Sequence, residues 1–185
     1  MNYFETIKCY DMEVFHLKYH QQRIANTIGK NINLLDYIYP PSPKLLKCKV
    51  LYNENEILNI SFDLYKKKEI KTFKIVADNF IEYNFKYENR DEIDFHLSNK
   101  GNFDDIIILK NNLITDTSIA NIAIYLNDQW YTPKKPLLYG TTRQRYIDNG
   151  ILKEMNIDIK TLKKAKKFAL LNAMIDFDII DDRIL

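Results

Sequence analysis

The residues of this 185-residue chain best suited to chemistry fall in four short stretches. "FIEYNFKYE" (Phe80–Glu88) carries Lys86, whose amine is a nucleophile or base once uncharged. "LITDTS" carries Asp116 inside a strand-like run, where aspartate is disfavoured. "YGTTR" joins Gly140, which has unusual backbone freedom, to Thr141 and Thr142, either of which can cap a following helix. The free N–H groups at such a helix start form an anion site. "HQQR" sets His20 and Arg23 three apart, on one face of a helix. Each stretch also has a plain alternative. Lys86 alternates in phase with Glu82 and Asn84, as on a solvated strand face. Asp116 suits a strand edge or a nearby turn, the threonines suit an ordinary cap, and His20 with Arg23 suit an exposed polar face. The run from Leu113 to Arg143 is therefore either a hairpin followed by a capped helix or the wall of a site for a phosphate-bearing cofactor.

Composition narrows the function classes. With 46% hydrophobic and 28% charged residues, the chain is expected to be an ordinary soluble globular protein. Its length suffices for one domain with a sizeable core or for two small lobes. A net charge of +2 is too mild to imply nucleic acid, and Lys66–Lys68 and Lys163–Lys164 read as solvated faces. The two cysteines, Cys9 and Cys48, lack metal-ligand spacing and a neighbouring histidine pair. Neither a disulfide framework nor a metal site is expected, and a reducing cytoplasm is. No apolar run approaches the roughly 20 residues that span a bilayer, and "MNYFETIK" is not a signal peptide, so no membrane role is expected. With 4 glycines there is neither a GxGxxG fingerprint nor a Walker loop.

The elements that must position these residues are legible in outline. "YFETIKCY" reads as a strand, "DMEV" as a turn and Phe15–Lys30 as a helix with Gly29 near its end. "YPPSPK" cannot be regular structure. "KCKVLYN", "ILNISFDLY" and "KTFKIVAD" read as three strands, and Phe80–Glu88 continues their alternation. "RDEIDFHLSNKG" reads as a short helix stopping at Gly101, and "DDIIILK" as a strand buried on both faces. "KNNL" is a hairpin-like turn, and Thr141–Gly150 and Ile159–Lys167 read as helices, the second leading into "FALLNAM". The class is α+β, with a lobe boundary that separates residues 1–80 from 81–185.

Taken together, the order Lys86, Asp116, Gly140-Thr141-Thr142 resembles the class IV aminotransferase family, the fold-type IV pyridoxal-phosphate enzymes. That family places a Schiff-base lysine first, then "T-E-x-x-x-x-N", then "T-P", then a "G-x-T-R" turn for the phosphate. The same succession here reads "FKYENR", "TDTSIAN", "YTPKKPLLYGTTR" and "LLNAM". "FETIK" resembles the family's early "FET" strand, and "HQQR" its "H-x-x-R" helix. The resemblance runs from Phe4 to about Met174 and is most specific from Thr115 to Arg143. It implies a two-lobed architecture like that of D-amino acid aminotransferase, with a shortened N-terminal lobe. Three features depart from the pattern: Asp116 stands where glutamate is usual, the chain opens at "FET" without a preceding hairpin, and no "GDG" precedes that strand.

The resemblance implies roles by position. Lys86 would form the Schiff base and then move protons as base and acid. Asp116 would keep the pyridine nitrogen protonated. The Thr141 and Thr142 amides after Gly140, a threonine hydroxyl and Arg23 would hold the phosphate, with Asn172 and Ala173 as a second contact. Lys86, Asn89 and Arg90 form a "K-x-x-N-R" run similar to that of the aminodeoxychorismate lyases. The implied reaction is loss of pyruvate from 4-amino-4-deoxychorismate to give 4-aminobenzoate for folate synthesis. The substrate is a dianion, for which Lys135, Arg143 and Arg145 are the candidate cations. Two alternatives stand beside this: an aminotransferase for a D- or branched-chain amino acid, and a shortened, non-catalytic relative that binds without chemistry. A homodimer is expected from the family, with a small amino compound as substrate.

Overall fold

Every second residue of β1 (Tyr3–Tyr10) is buried, so Tyr3, Glu5, Ile7 and Cys9 share one face, as a period of two requires. In the computed structural model, which describes residues 1–181, this strand is the centre of the first of two units. β2 (Glu13–Val14) folds back on it through Asp11 and Met12, whose φ values of 52° and 65° make the left-handed pair that tight hairpins prefer. α1 (Leu17–Ile28) buries His20 and Ile24 and stops at Gly29, whose left-handed backbone lets its N–H reach the Ala25 carbonyl. β3 (Leu46–Tyr52) and β4 (Ile57–Leu64) complete an antiparallel sheet in the order β2-β1-β3-β4. Residues 39–44 form no helix or strand, as their prolines demand. The core of this unit gathers Tyr3, Ile7, Ile24, Cys48, Val50 and Tyr52, and both cysteines are free thiols.

The second unit opens with β5 (Phe73–Ala77), which corrects the expected run of neighbouring strands. β5 lies parallel to β6 (Asp105–Lys110), and a parallel pair needs a long crossover. That connection holds α2 (Asp91–Ser98), which has acidic residues Asp91, Glu92 and Asp94 in its first turn. β6 is the continuous buried run that its sequence predicts. β7 (Leu113–Thr117), β8 (Asn121–Leu126) and β9 (Gln129–Pro133) follow as antiparallel neighbours. Left-handed pairs at Asn111-Asn112 and Asn127-Asp128 close two of the turns. After α3 (Thr141–Asp148), β10 (Leu152–Met155) runs parallel to β9. α4 (Ile159–Lys164) is shorter than the expected Ile159–Lys167, because Lys167 already begins β11 (Lys167–Asn172). β11 pairs with β8 and with β12 (Asp176–Ile180). Among the described residues, no helix is long and apolar enough to cross a membrane.

Two further expectations change. Phe80–Glu88 is not a strand. Asp78 accepts hydrogen bonds from the Phe80 and Ile81 amides and turns the chain, and the expected alternation lapses at Phe85, Lys86 and Tyr87, all half-buried. What remains is a strap along β1: Phe4 N–H donates to the Lys86 carbonyl, Tyr87 bridges Tyr3, and Glu88 N–H donates to the Asn2 carbonyl. The division of the chain also differs from the boundary at 80/81. Residues 1–67 and 85–89 form the first unit, and 68–84 with the chain from Arg90 onward form the second. Pairing is the reason: β5 belongs to the larger sheet, whereas the Lys86 strap is bonded to β1.

Candidate active site

In the first unit the alternation of β1 forces a glutamate into the core. Glu5 is fully buried, and α1 supplies its partners from one helix face. Arg23 donates through Nε and Nη2 at 2.7 and 2.5 Å, and His20 Nδ1 lies 2.6 Å from Glu5 Oε2. Burial alone would raise the Glu5 pKa. The Arg23 charge and the hydrogen bonds from His20 and Arg23 outweigh it and bring the carboxyl down to about 2. Burial pushes His20 the other way, below its ordinary value, so a neutral ring donates its Nδ1 proton to a carboxylate that can only accept. His20 and Arg23 are thus a presentation frame, not an exposed polar face. The strap sets Lys86 beside β1, with Nζ 4.5 Å from the centre of the Phe4 ring and its charge felt at His20. Lys49 Nζ lies 5.3 Å from the same ring.

In the second unit the short turn 118–120 determines the geometry. Thr117 N–H donates to the Ala120 carbonyl, and the Ala120 N–H donates to Thr117 Oγ1. Arg90 Nη2 braces the turn through the Ser118 carbonyl at 2.8 Å. Asp116 therefore pairs directly with Asn121 across β7 and β8. Asn121 Nδ2 donates to Asp116 Oδ1 at 2.6 Å and to the Leu138 carbonyl at 2.8 Å, while Leu138 N–H donates to Asp116 Oδ2 at 2.9 Å. Burial raises the Asp116 carboxyl to about 6, against the opposing pull of these donors and the charge of Arg143. Gly140 follows directly, and a Cβ there would lie 1.9 Å from Asn121 Oδ1. Its backbone (φ −72°, ψ 144°) is open to any residue, so the glycine answers to close approach and not to an unusual angle. Thr141 and Thr142 are buried at the start of α3, where no side chain caps the helix and the first amides lack partners within it.

The remaining candidates sit elsewhere. Arg143 is 1% exposed, and its Nη2 donates to the Pro133 carbonyl at 2.9 Å and to Glu154 at 2.5 Å. Its guanidinium is a tie inside the unit, which corrects its reading as a cation offered to substrate. Arg145 pairs with Asp176 and lies over the Tyr146 ring, again a local tie. Lys135 is exposed in the loop after β9. Asn172 accepts from the Met174 and Ile175 amides and shapes the β11–β12 turn that includes Ala173, and its Nδ2 reaches the Ile119 carbonyl at 3.3 Å. The structure also engages Glu5 and Asn121, to which the sequence motifs assign no role. A glutamate in the buried phase of an alternating strand was the available signal for the first, and the final Asn of "TDTSIAN" for the second.

Residues of the second unit suit two parts of one ligand type. Asp116 is a buried carboxylate whose direct partners are all neutral, and its oxygens retain lone pairs for a further donor, so a protonated ring nitrogen suits it. The uncapped first turn of α3 suits a phosphate. Among the described residues, no group of three or more His, Cys, Asp or Glu could hold a metal ion.

Comparisons with known proteins show what the chain is similar to. Residues 84–179 match the family model for class IV amino-transferases. An uncharacterised protein of Haemophilus influenzae is 32% identical over 182 residues, covering 92% of this chain and 96% of that protein. A Haemophilus somnus protein provisionally named as a 4-amino-4-deoxychorismate lyase superposes with a TM-score of 0.84 at 28% identity, over 94% of this chain and 96% of its own. A hypothetical aminotransferase of Mycobacterium tuberculosis in a pyridoxal-phosphate-bound form shares the fold, with a TM-score of 0.75 at 13% identity, over 100% of this chain and 82% of its own.

Proposed function

The chain belongs to the class IV amino-transferase family, and we propose that it is a pyridoxal-phosphate enzyme that removes pyruvate from 4-amino-4-deoxychorismate to leave 4-aminobenzoate. The observation that carries the cofactor assignment is Asp116: a buried carboxylate hydrogen-bonded by neutral donors can take a cation in direct contact, and a pyridinium nitrogen supplies one. The lyase reading is supported by the likeness to the Haemophilus somnus protein and by the Lys86, Asn89, Arg90 spacing.

Bound pyridoxal phosphate supplies an electron sink for the bonds to be broken. Lys86 holds the cofactor, and its amine then takes the proton from the substrate ring and returns one to the departing enolpyruvyl group. Asp116 keeps the ring nitrogen protonated. The α3 amides at Thr141 and Thr142 hold the phosphate. Glu5 and His20 aim Arg23, which the resemblance reads as a phosphate ligand. We take the working form to be a cytoplasmic homodimer, in line with its two free thiols and its family.

The test is visible absorption with added pyridoxal phosphate, wild type beside Lys86→Ala. A band that borohydride fixes to Lys86, absent from the variant, is expected; no band, or one indifferent to the variant, would leave a non-catalytic relative as the better reading. Release of 4-aminobenzoate without an added 2-oxo acid separates the lyase from an aminotransferase, the reaction for which the matching family is named.

A further inference from the structure

The acid of β7 and the first turn of α3 are joined by a closed set of bonds, and Asn121 is its hinge pin. Nδ2 of Asn121 bridges Asp116 Oδ1 and the Leu138 carbonyl, and the N–H of that same Leu138 returns to Asp116 Oδ2. Both faces of one peptide-flanking residue are thereby tied to one carboxylate. Two residues later, Gly140 brings its Cα so near that a Cβ would stand 1.9 Å from Asn121 Oδ1 and 3.1 Å from Cγ. Neither partner of that close approach is a flexible chain end, because the carboxamide is held at two points. Gly140 is also the N-cap of α3, so whatever fixes Gly140 fixes where the Thr141 and Thr142 amides begin.

We propose that Asn121 is a positioning residue, paired with Gly140, that sets the offset between the Asp116 carboxylate and the anion-binding start of α3. The clasp would make this unit selective for a ligand that carries a protonatable aromatic nitrogen and a phosphate at one fixed spacing. This rests on the proposed function for the identity of that ligand, but the clasp itself is a property of the ligand-free chain. The groups that face Asp116 are the Asn121 carboxamide from β8, the Leu137 and Leu138 amides from the loop after β9, and the charge of Arg143 from α3. Of these, only Asn121 can be altered without disturbing the main chain or a buried cation.

Three variants test the clasp: Asn121→Ala, Gly140→Ala and the double variant. In ligand-free protein, ¹³C-carboxyl NMR should show the Asp116 ionisation midpoint moving up in Asn121→Ala, since a donor to the ionised form is lost. A role confined to packing would leave that midpoint where it is in wild type. Gly140→Ala should lower the urea midpoint sharply, and the double variant should recover much of the loss because the carboxamide no longer occupies the space. Pyridoxal phosphate should bind Asn121→Ala roughly tenfold more weakly than wild type. An unmoved Asp116 midpoint would overturn the proposal, as would a double variant no more stable than Gly140→Ala. Both readouts use ligand-free protein, so they decide the clasp even if wild type fails to bind pyridoxal phosphate, a result that would sink the proposed function alone.

Discussion

Glu5 and Asp116 are both carboxylates removed from water, yet the protein moves them in opposite directions, one to about 2 and the other to about 6. The difference lies in the partners. Glu5 receives a guanidinium and an imidazole N–H, so its desolvation is offset within its own unit. Asp116 receives an amide N–H and a carboxamide, both neutral, while the nearby cation Arg143 is engaged with Glu154. A complete ion pair of the first kind is architecture that holds Arg23 in place. An incomplete one of the second kind is what the proposed cofactor role of Asp116 would use, because a ligand cation can supply what the chain withholds.

The strongest way to break this contrast is to remove the Glu5 charge while keeping its shape. Glu5→Gln leaves Arg23 and His20 facing a neutral amide in the core and should cost about 3–5 kcal/mol in urea unfolding. A loss below about 1 kcal/mol would mean that the pair does not organise the first unit. The pH dependence follows next. Glu5 is depressed from 4.5 to about 2, so its contribution is present above pH 4.5 and lost as pH falls toward 2, worth about 3 kcal/mol. Asp116 is raised from 3.8 to about 6, so its contribution is full below 3.8 and lost as pH rises through 6, by a similar amount. Stability curves should therefore lose their acid limb in Glu5→Gln and keep the opposite slope near pH 5.

Ligand addition sharpens the contrast. With pyridoxal phosphate bound, the NMR midpoint of Asp116 should fall well below 6, whereas that of Glu5 should stay put. Movement of both, or of neither, would remove the distinction between a frame and a site. The smallest effect concerns Arg143. Glu154→Gln unmasks its charge, and the Asp116 midpoint in ligand-free protein should fall slightly, with little change in stability because Glu154 is 41% exposed.

How much of this was legible beforehand depends on the kind of information each residue carries. Lys86, Asp116 and the "GTTR" turn could be singled out because their chemistry is intrinsic and their spacing carries a family pattern. Most strands were legible from alternation, and β6 from its unbroken apolar run. Periodicity failed at Phe80–Glu88, where the alternating pattern is real but has one bonded neighbour only near Lys86. Local sequence also cannot say that β5 pairs with β6 across a crossover, since strand pairing is a long-range choice. Arg143 and Lys135 look alike as cations on paper, and burial alone made one a tie and left the other in solvent.

By itself, then, the sequence determined the chemical groups on offer, the α+β class and the family of the chain. Only tertiary structure decided the charge states those groups adopt. Whether a buried carboxylate finds a guanidinium, as Glu5 does, or only neutral donors, as Asp116 does, depends on groups 5 to 22 residues distant in sequence. Those neighbours set the local solvation and field that fix a pKa, and no pattern along the chain encodes them.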